Sequence, residues 1–198
     1  MEFNDVLERL RGRTQMPLFV AQPWDEEVSR ALRDADLATF FGQPVRDPKF
    51  GAAAIAGLHL WNDDFTGSHN LCQGIQTTTG SYWHGLCHRR EGHQGEGLQS
   101  NLSNAKYWFR QVGEHPAFDP VYRMALNVLD TTGTGFRWAT EAGDNLRARH
   151  KWDPNAMIDW FAQVEAGTLS AQSAALLEEI QWREIDLLVN WCVEQALS

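Results

Sequence analysis

The chain has 198 residues, 43% of them hydrophobic, with nine tryptophans and ten phenylalanines, enough apolar volume to fill a real core. Twenty-six acidic against 17 basic residues leave a net charge of -9, which argues against a general nucleic-acid binder, since that needs a concentrated basic surface. The three cysteines, Cys72, Cys87 and Cys192, lie far apart without a CxxC, a poor disulfide framework that fits a reducing compartment.

The N-terminal run MEFNDVLERLRGR is charged throughout, unlike a secretory signal, yet Val6, Leu7 and Leu10 form an apolar stripe within it. Asp25 is placed to cap a second helix, with Val28 and Leu32 on one side. Asp47-Pro48 is a strong start signal, and Ile55, Leu58, Trp61, Asn62 and Phe65 follow at helical spacing. That spacing puts Asn62 and His69 on one side if the helix runs on through Thr66-Gly67.

Thr77-Thr78-Thr79-Gly80 reads as a connection, and Ser81 as the cap of a helix from Tyr82 onward. Asp119-Pro120 and Asp153-Pro154 are two further helix starts, separated by a threonine-glycine connection at residues 131–135. The last helix begins near Ser170. Its polar residues Glu179, Arg183, Asp186, Asn190 and Glu194 form one narrow stripe, so much of its circumference should be buried. No sustained period-two alternation occurs, and no apolar run of roughly 18 residues is available to span a bilayer. The expectation is one all-α domain over residues 1–198, built from antiparallel helical hairpins, cytoplasmic, with neither membrane nor nucleic-acid partners.

Chemistry concentrates in SYWHGLCHRREG, residues 81–92. At about 100° per residue, His84, His88 and Glu91 fall within an arc of about 60° beside the apolar face. Imidazoles at i and i+4 can converge on one divalent metal, with Glu91 as a third ligand. The same residues suit metal-free proton transfer, with Glu91 as base or ring orienter. They also suit a structural network at a helix crossing. HGLCH lacks the glutamate of a zincin helix, and the His88–Glu91 order reverses that of di-metal bundles. His69, Asn104, Tyr107 and His115 are candidate ligand-binding residues, although a Gly-Glu-His-Pro turn equally makes His115 a capping group. Cys87 is a weaker candidate, since a small cysteine inside a hairpin is ordinarily buried. His59 reads as a packed helix residue, and His93 and His150 as solvent-facing. Trp108, with Ala105, Phe109 and Val112, falls in the apolar arc of the second helix and is expected to be buried.

The segments SYWHGLCHRREG and NAKYWFRQVGEHP resemble the two helices of a tetratricopeptide-type hairpin. Trp83, Gly85 and Leu86 match the first helix, and Ala105, Trp108 or Phe109, and Pro116 the second. The likeness covers residues 81–116, with a longer connection than that repeat uses and no constant 34-residue period. The same pair is similar to a helical family carrying WHxxxHRRE followed by NxKYWFRxVGxHP. Here that pattern falls on His84, His88, Arg89, Arg90, Glu91, Asn104, Lys106, Tyr107, Trp108, Phe109, Arg110, Gly113 and His115. The resemblance implies helical packing and brings no activity with it. It would set the His84 edge beside Asn104 and Tyr107, with residues 93–103 bordering the site. Two functions follow: a small-ligand or catalytic site, hydrolytic or proton-transferring, with a possible divalent metal; or a non-catalytic protein-interaction module around a structural His/Glu/Arg network.

Overall fold

In the computed structural model, residues 1–20, 22–92 and 101–198 are described, and they contain eleven helices and no strand. The helices are α1 (Phe3–Arg11), α2 (Glu26–Arg33), α3 (Leu37–Phe40), α4 (Pro48–Trp61), α5 (Phe65–Gly74) and α6 (Thr78–Glu91), then α7 (Asn101–Val112), α8 (Phe118–Thr131), α9 (Arg137–Arg149), α10 (Pro154–Glu165) and α11 (Ala171–Leu197). Among these, none is long and apolar enough to cross a membrane.

Short polar side chains set most of the helix starts. Asp25, Asp47, Asp153 and Ser170 each accept a backbone N–H from the first turn, as the sequence indicates. Three boundaries differ from expectation. α8 begins at Phe118, with Ala117 at the cap position and no side-chain cap, so Asp119 and Pro120 lie inside its first turn rather than starting it. α6 begins at Thr78, three residues before Ser81, because the Thr77 hydroxyl accepts the Gly80 N–H and turns the threonine run into helix. α4 stops at Trp61 rather than running through Gly67. Asp63 adopts a left-handed backbone (φ 59°), and Asp64 caps α5 by accepting the Gly67 N–H, so α5 folds back along α4. Asn62 therefore parts company with His69. It faces α2, bonding the Asp25 carbonyl at 2.8 Å and the Ser29 hydroxyl at 2.9 Å.

The long α11 packs on α4, α8 and α10; α6 lies against α4, α5 and α7. Contacts between α6 and α7 pair His88 with Asn104 and His84 with Trp108, so the two run antiparallel. They approach closely at Gly85, where an added Cβ would stand 2.9 Å from the Phe109 ring. Residues 82–90 of α6 are buried without interruption, the two arginines included.

Those arginines set the packing. Arg89, fully buried, donates to Glu184 of α11 at 2.6 Å, and Glu184 also accepts the Tyr82 hydroxyl at 2.7 Å and the Trp152 indole N–H at 3.2 Å. The Arg89 guanidinium also lies 5.1 Å from the Phe161 ring centre. Arg90, equally buried, reaches the Leu60 carbonyl and Asp63 at 2.5 Å each and the Pro17 carbonyl at 3.0 Å. Arg13 pairs with the other oxygen of Asp63 and donates to the Trp61 carbonyl at 2.7 Å. Removing one member of a buried pair strands its partner's charge, at roughly 3–5 kcal/mol. Glu184→Ala should therefore cost about that much in urea denaturation, and Arg89→Met with Glu184→Leu together markedly less than Glu184→Ala alone. Equal losses would show that the pair's charge balance does not hold the core.

Candidate functional site

Three imidazoles meet where α5 crosses α6. His69 on α5 and His84 and His88 on α6 each offer a ligand nitrogen, and the three atoms lie within 4.8 Å of one another. His84 and His88 are buried and His69 is half-buried. The tight approach is His69 Nε2 to His84 Nε2, 3.0 Å. On the inner side the His88 and His84 rings stack 4.9 Å apart, and Trp108 of α7 lies flat on His84 at 3.9 Å and 16°. Phe65 stacks on His69 from the other side at 5.1 Å.

Second partners orient the rings. His88 Nδ1 lies 2.9 Å from Glu91 Oε2, which fits an N–H donated to the carboxylate, and Asn104 Nδ2 approaches His88 Nε2 at 2.9 Å. Nε2 is then the lone-pair nitrogen. Gln73 holds His69 Nδ1 at 2.7 Å. His84 Nδ1 is buried without a hydrogen-bond partner. Burial, and then the neighbouring His88 and His69, pulls His84 down to about 3. Burial likewise lowers His69, with His88 adding to the effect and Glu91 opposing it. His84 is thus neutral across the physiological range, the state in which imidazole binds a metal.

The structure gathers His84, His88, Glu91, Asn104 and His69 as one group, with Glu91 behind His88 rather than in the converging triad. His69 arrives by the chain reversal at Asp63, not along a continuous helix. Its signal in the sequence was the pair Asp63-Asp64, an Asx cap ahead of Phe65. Tyr107 points elsewhere: it is 47% exposed and contacts Trp108 and Arg110. His115 also lies apart. Its Nδ1 accepts the Ala117 N–H at 3.1 Å, its Nε2 meets the Thr79 hydroxyl at 3.1 Å, and Tyr82, Phe118 and Trp191 enclose the ring. It closes the turn ahead of α8, whose cap position, Ala117, has no side-chain cap. Cys87 is buried, with Sγ 3.2 Å from the Ser68 hydroxyl. His59 is buried in α4, and His150 is exposed. Of the segment expected to border the site, residues 101–103 belong to α7; His93, Gly95 and Gly97 lie outside the described residues.

Trp108 corrects a second expectation. It is half-buried and serves as a cover on His84, while Phe109 takes the interior position against Gly85. Comparison with protein-family models, with curated proteins and with solved structures gives no match in any of the three.

Two measurements check these placements. In parallel denaturation, Phe109→Ala should cost more than Trp108→Ala, which should fall below the roughly 3–5 kcal/mol of a fully buried tryptophan. The second concerns acid. Burial pushes His115 down to about 4. The unfolded chain, with an imidazole near 6.5, therefore binds a proton that the folded state refuses, and stability must rise with pH between about 4 and 6.5. The contribution of one such group is about 1.4 kcal/mol per pH unit. His115→Gln should flatten the stability profile in that window by about that slope, and an unchanged slope would mean the ring is protonated in the fold.

Proposed function

We propose that His69, His84 and His88 bind one divalent transition metal and leave a coordination position open to a small oxygen-bearing ligand, for hydrolytic chemistry. The observation that carries this reading is the convergence of three ligand nitrogens, two of them buried, within 4.8 Å. Three imidazoles plus an exchangeable ligand is a donor set suited to catalytic zinc, and imidazole also suits iron, copper and nickel. Two nitrogens at 2.0–2.1 Å on a tetrahedral ion stand about 3.3–3.4 Å apart. The His69–His84 separation of 3.0 Å is within a few tenths of that. Such an ion lowers the pKa of bound water toward 7. Glu91 serves through His88: its carboxylate fixes the Nδ1–H tautomer and turns Nε2 inward. Asn104 Nδ2 approaches the same His88 nitrogen and would have to give it up to an ion.

A second reading is a non-catalytic helical module in which the histidines form a structural network. The His69–His84 and Asn104–His88 contacts, 3.0 and 2.9 Å, favour it.

Elemental analysis of protein purified without chelator, followed by titration with zinc, cobalt, nickel and manganese, separates the two. The metal reading expects one equivalent bound, lost in His69→Ala and His84→Ala, with Glu91→Gln weakening it roughly 10- to 100-fold. Failure of the wild type to bind any of the four ions would leave the network reading.

A further inference from the structure

The other side of α5 faces a second, separate piece of chemistry. Between α2, α4 and α5 an open cavity of about 450 Å³ is lined by Leu32, Leu37, Ile55 and Leu71, with His59 and Asp64 also on its wall. His59 is 1% exposed, and its Nδ1 lies 2.9 Å from Asp64 Oδ2. Asp64 is held at about 2: burial works against ionisation, but hydrogen bonds from His59, the Gly67 N–H and Ser29 outweigh it. An ionised carboxylate only accepts, so the proton sits on Nδ1. Nε2 is then the His59 nitrogen that carries a lone pair. Gly67 makes the arrangement possible, because a Cβ there would stand 2.7 Å from His59 Cε1. The half-exposed Arg33 guanidinium, 3.6 Å from Asp64, balances the carboxylate at the mouth.

We infer that this cavity binds a small uncharged molecule with an apolar, ring-sized body and a hydroxyl group that donates to His59 Nε2. The aliphatic wall selects the apolar body. The Asp64–Arg33 pair disfavours either net charge, since an anion meets Asp64 and a cation meets Arg33. The oriented imidazole supplies one acceptor at a buried position, which rewards a hydroxyl over its absence. The volume lies within the roughly 300–1,000 Å³ range of small-molecule sites. This site shares no side chain with the histidine triad and does not depend on metal there.

Phenol and toluene at pH 8, where an ordinary imidazole is neutral, are suitable probes. Titration of ¹⁵N-labelled protein should show saturable shifts for phenol concentrated in residues 52–71 and at the His59 ring nitrogens. Phenol should bind about five-fold more tightly than toluene, the worth of one ordinary hydrogen bond. Leu71→Trp, which puts an indole on the half-buried wall of the cavity, should reduce phenol binding at least ten-fold while leaving the protein folded and the His84 resonances in place. His59→Gln, which keeps a polar group beside Asp64, should bring phenol down to the affinity of toluene. Phenol shifts scattered over the surface, equal affinity for the two probes, or undiminished binding in folded Leu71→Trp would each overturn the assignment.

Discussion

Two adjacent guanidinium groups buried at the end of one helix impose the condition that the rest of this fold satisfies. A charge taken out of water needs a counter-charge beside it. Arg89 and Arg90 leave α6 about 100° apart, so they meet counter-charges from different parts of the chain. Glu184 supplies one from the middle of α11, and Asp63 the other from the α4–α5 turn. The first pair fixes the depth of α11 against α6. The second, shared with Arg13 and joined by the Pro17 carbonyl, ties the N-terminal segment and the chain reversal to the same helix. Both arginines also lie in the last turn of α6, where a positive charge is favoured by the helix dipole.

The histidine site is a consequence of that scaffold. Asp63 can serve Arg90 only if the chain turns sharply there, and the turn lays α5 antiparallel along α4 and against α6. His69 is thereby brought to the α6 face that carries His84 and His88. The closely packed Gly85–Phe109 crossing then brings α7 near enough for Trp108 and Asn104 to cover the imidazoles. Each ring is clamped by an aromatic face or a polar partner. The cluster is therefore assembled in advance of any ligand, which lowers the conformational entropy lost when one binds.

What could be read from the sequence followed local physics. The all-helical class came from apolar spacing, and the caps at Asp25, Asp47, Asp153 and Ser170 came from side chains that satisfy the N–H groups directly after them. The shared face of His84 and His88 needed only the helical angle. Relations set by distant packing were not legible. Arg89 and Arg90 look like an exposed basic pair until Glu184 and Asp63 are placed, because no local rule says that two arginines will be buried. Glu184 falls outside the polar stripe of α11 for the same reason. Trp108 and Phe109 are adjacent aromatics on one arc, and only the Gly85 contact decides which goes inside. The threonine run misled because threonine serves both turns and helix caps, and Thr77 takes the second role.

The charge of the triad narrows what could occupy it. Imidazole is an uncharged ligand, and Glu91, the carboxylate in contact with the three, touches His88 rather than joining the three nitrogens. A divalent ion held there keeps most of its double charge, unlike one bound by two or three carboxylates. Arg89 is paired one to one with Glu184, whereas Arg90 shares Asp63 with Arg13, so that group keeps one positive charge in excess. If such an ion kept one coordination position open, that position would favour a negatively charged oxygen over a neutral one. Such an anion would approach a protein whose overall charge is -9, against the long-range field, and would be drawn in only at short range. That combination suits a small ligand bound at close quarters and does not suit a polyanion, which would carry its repulsion across the whole acidic surface.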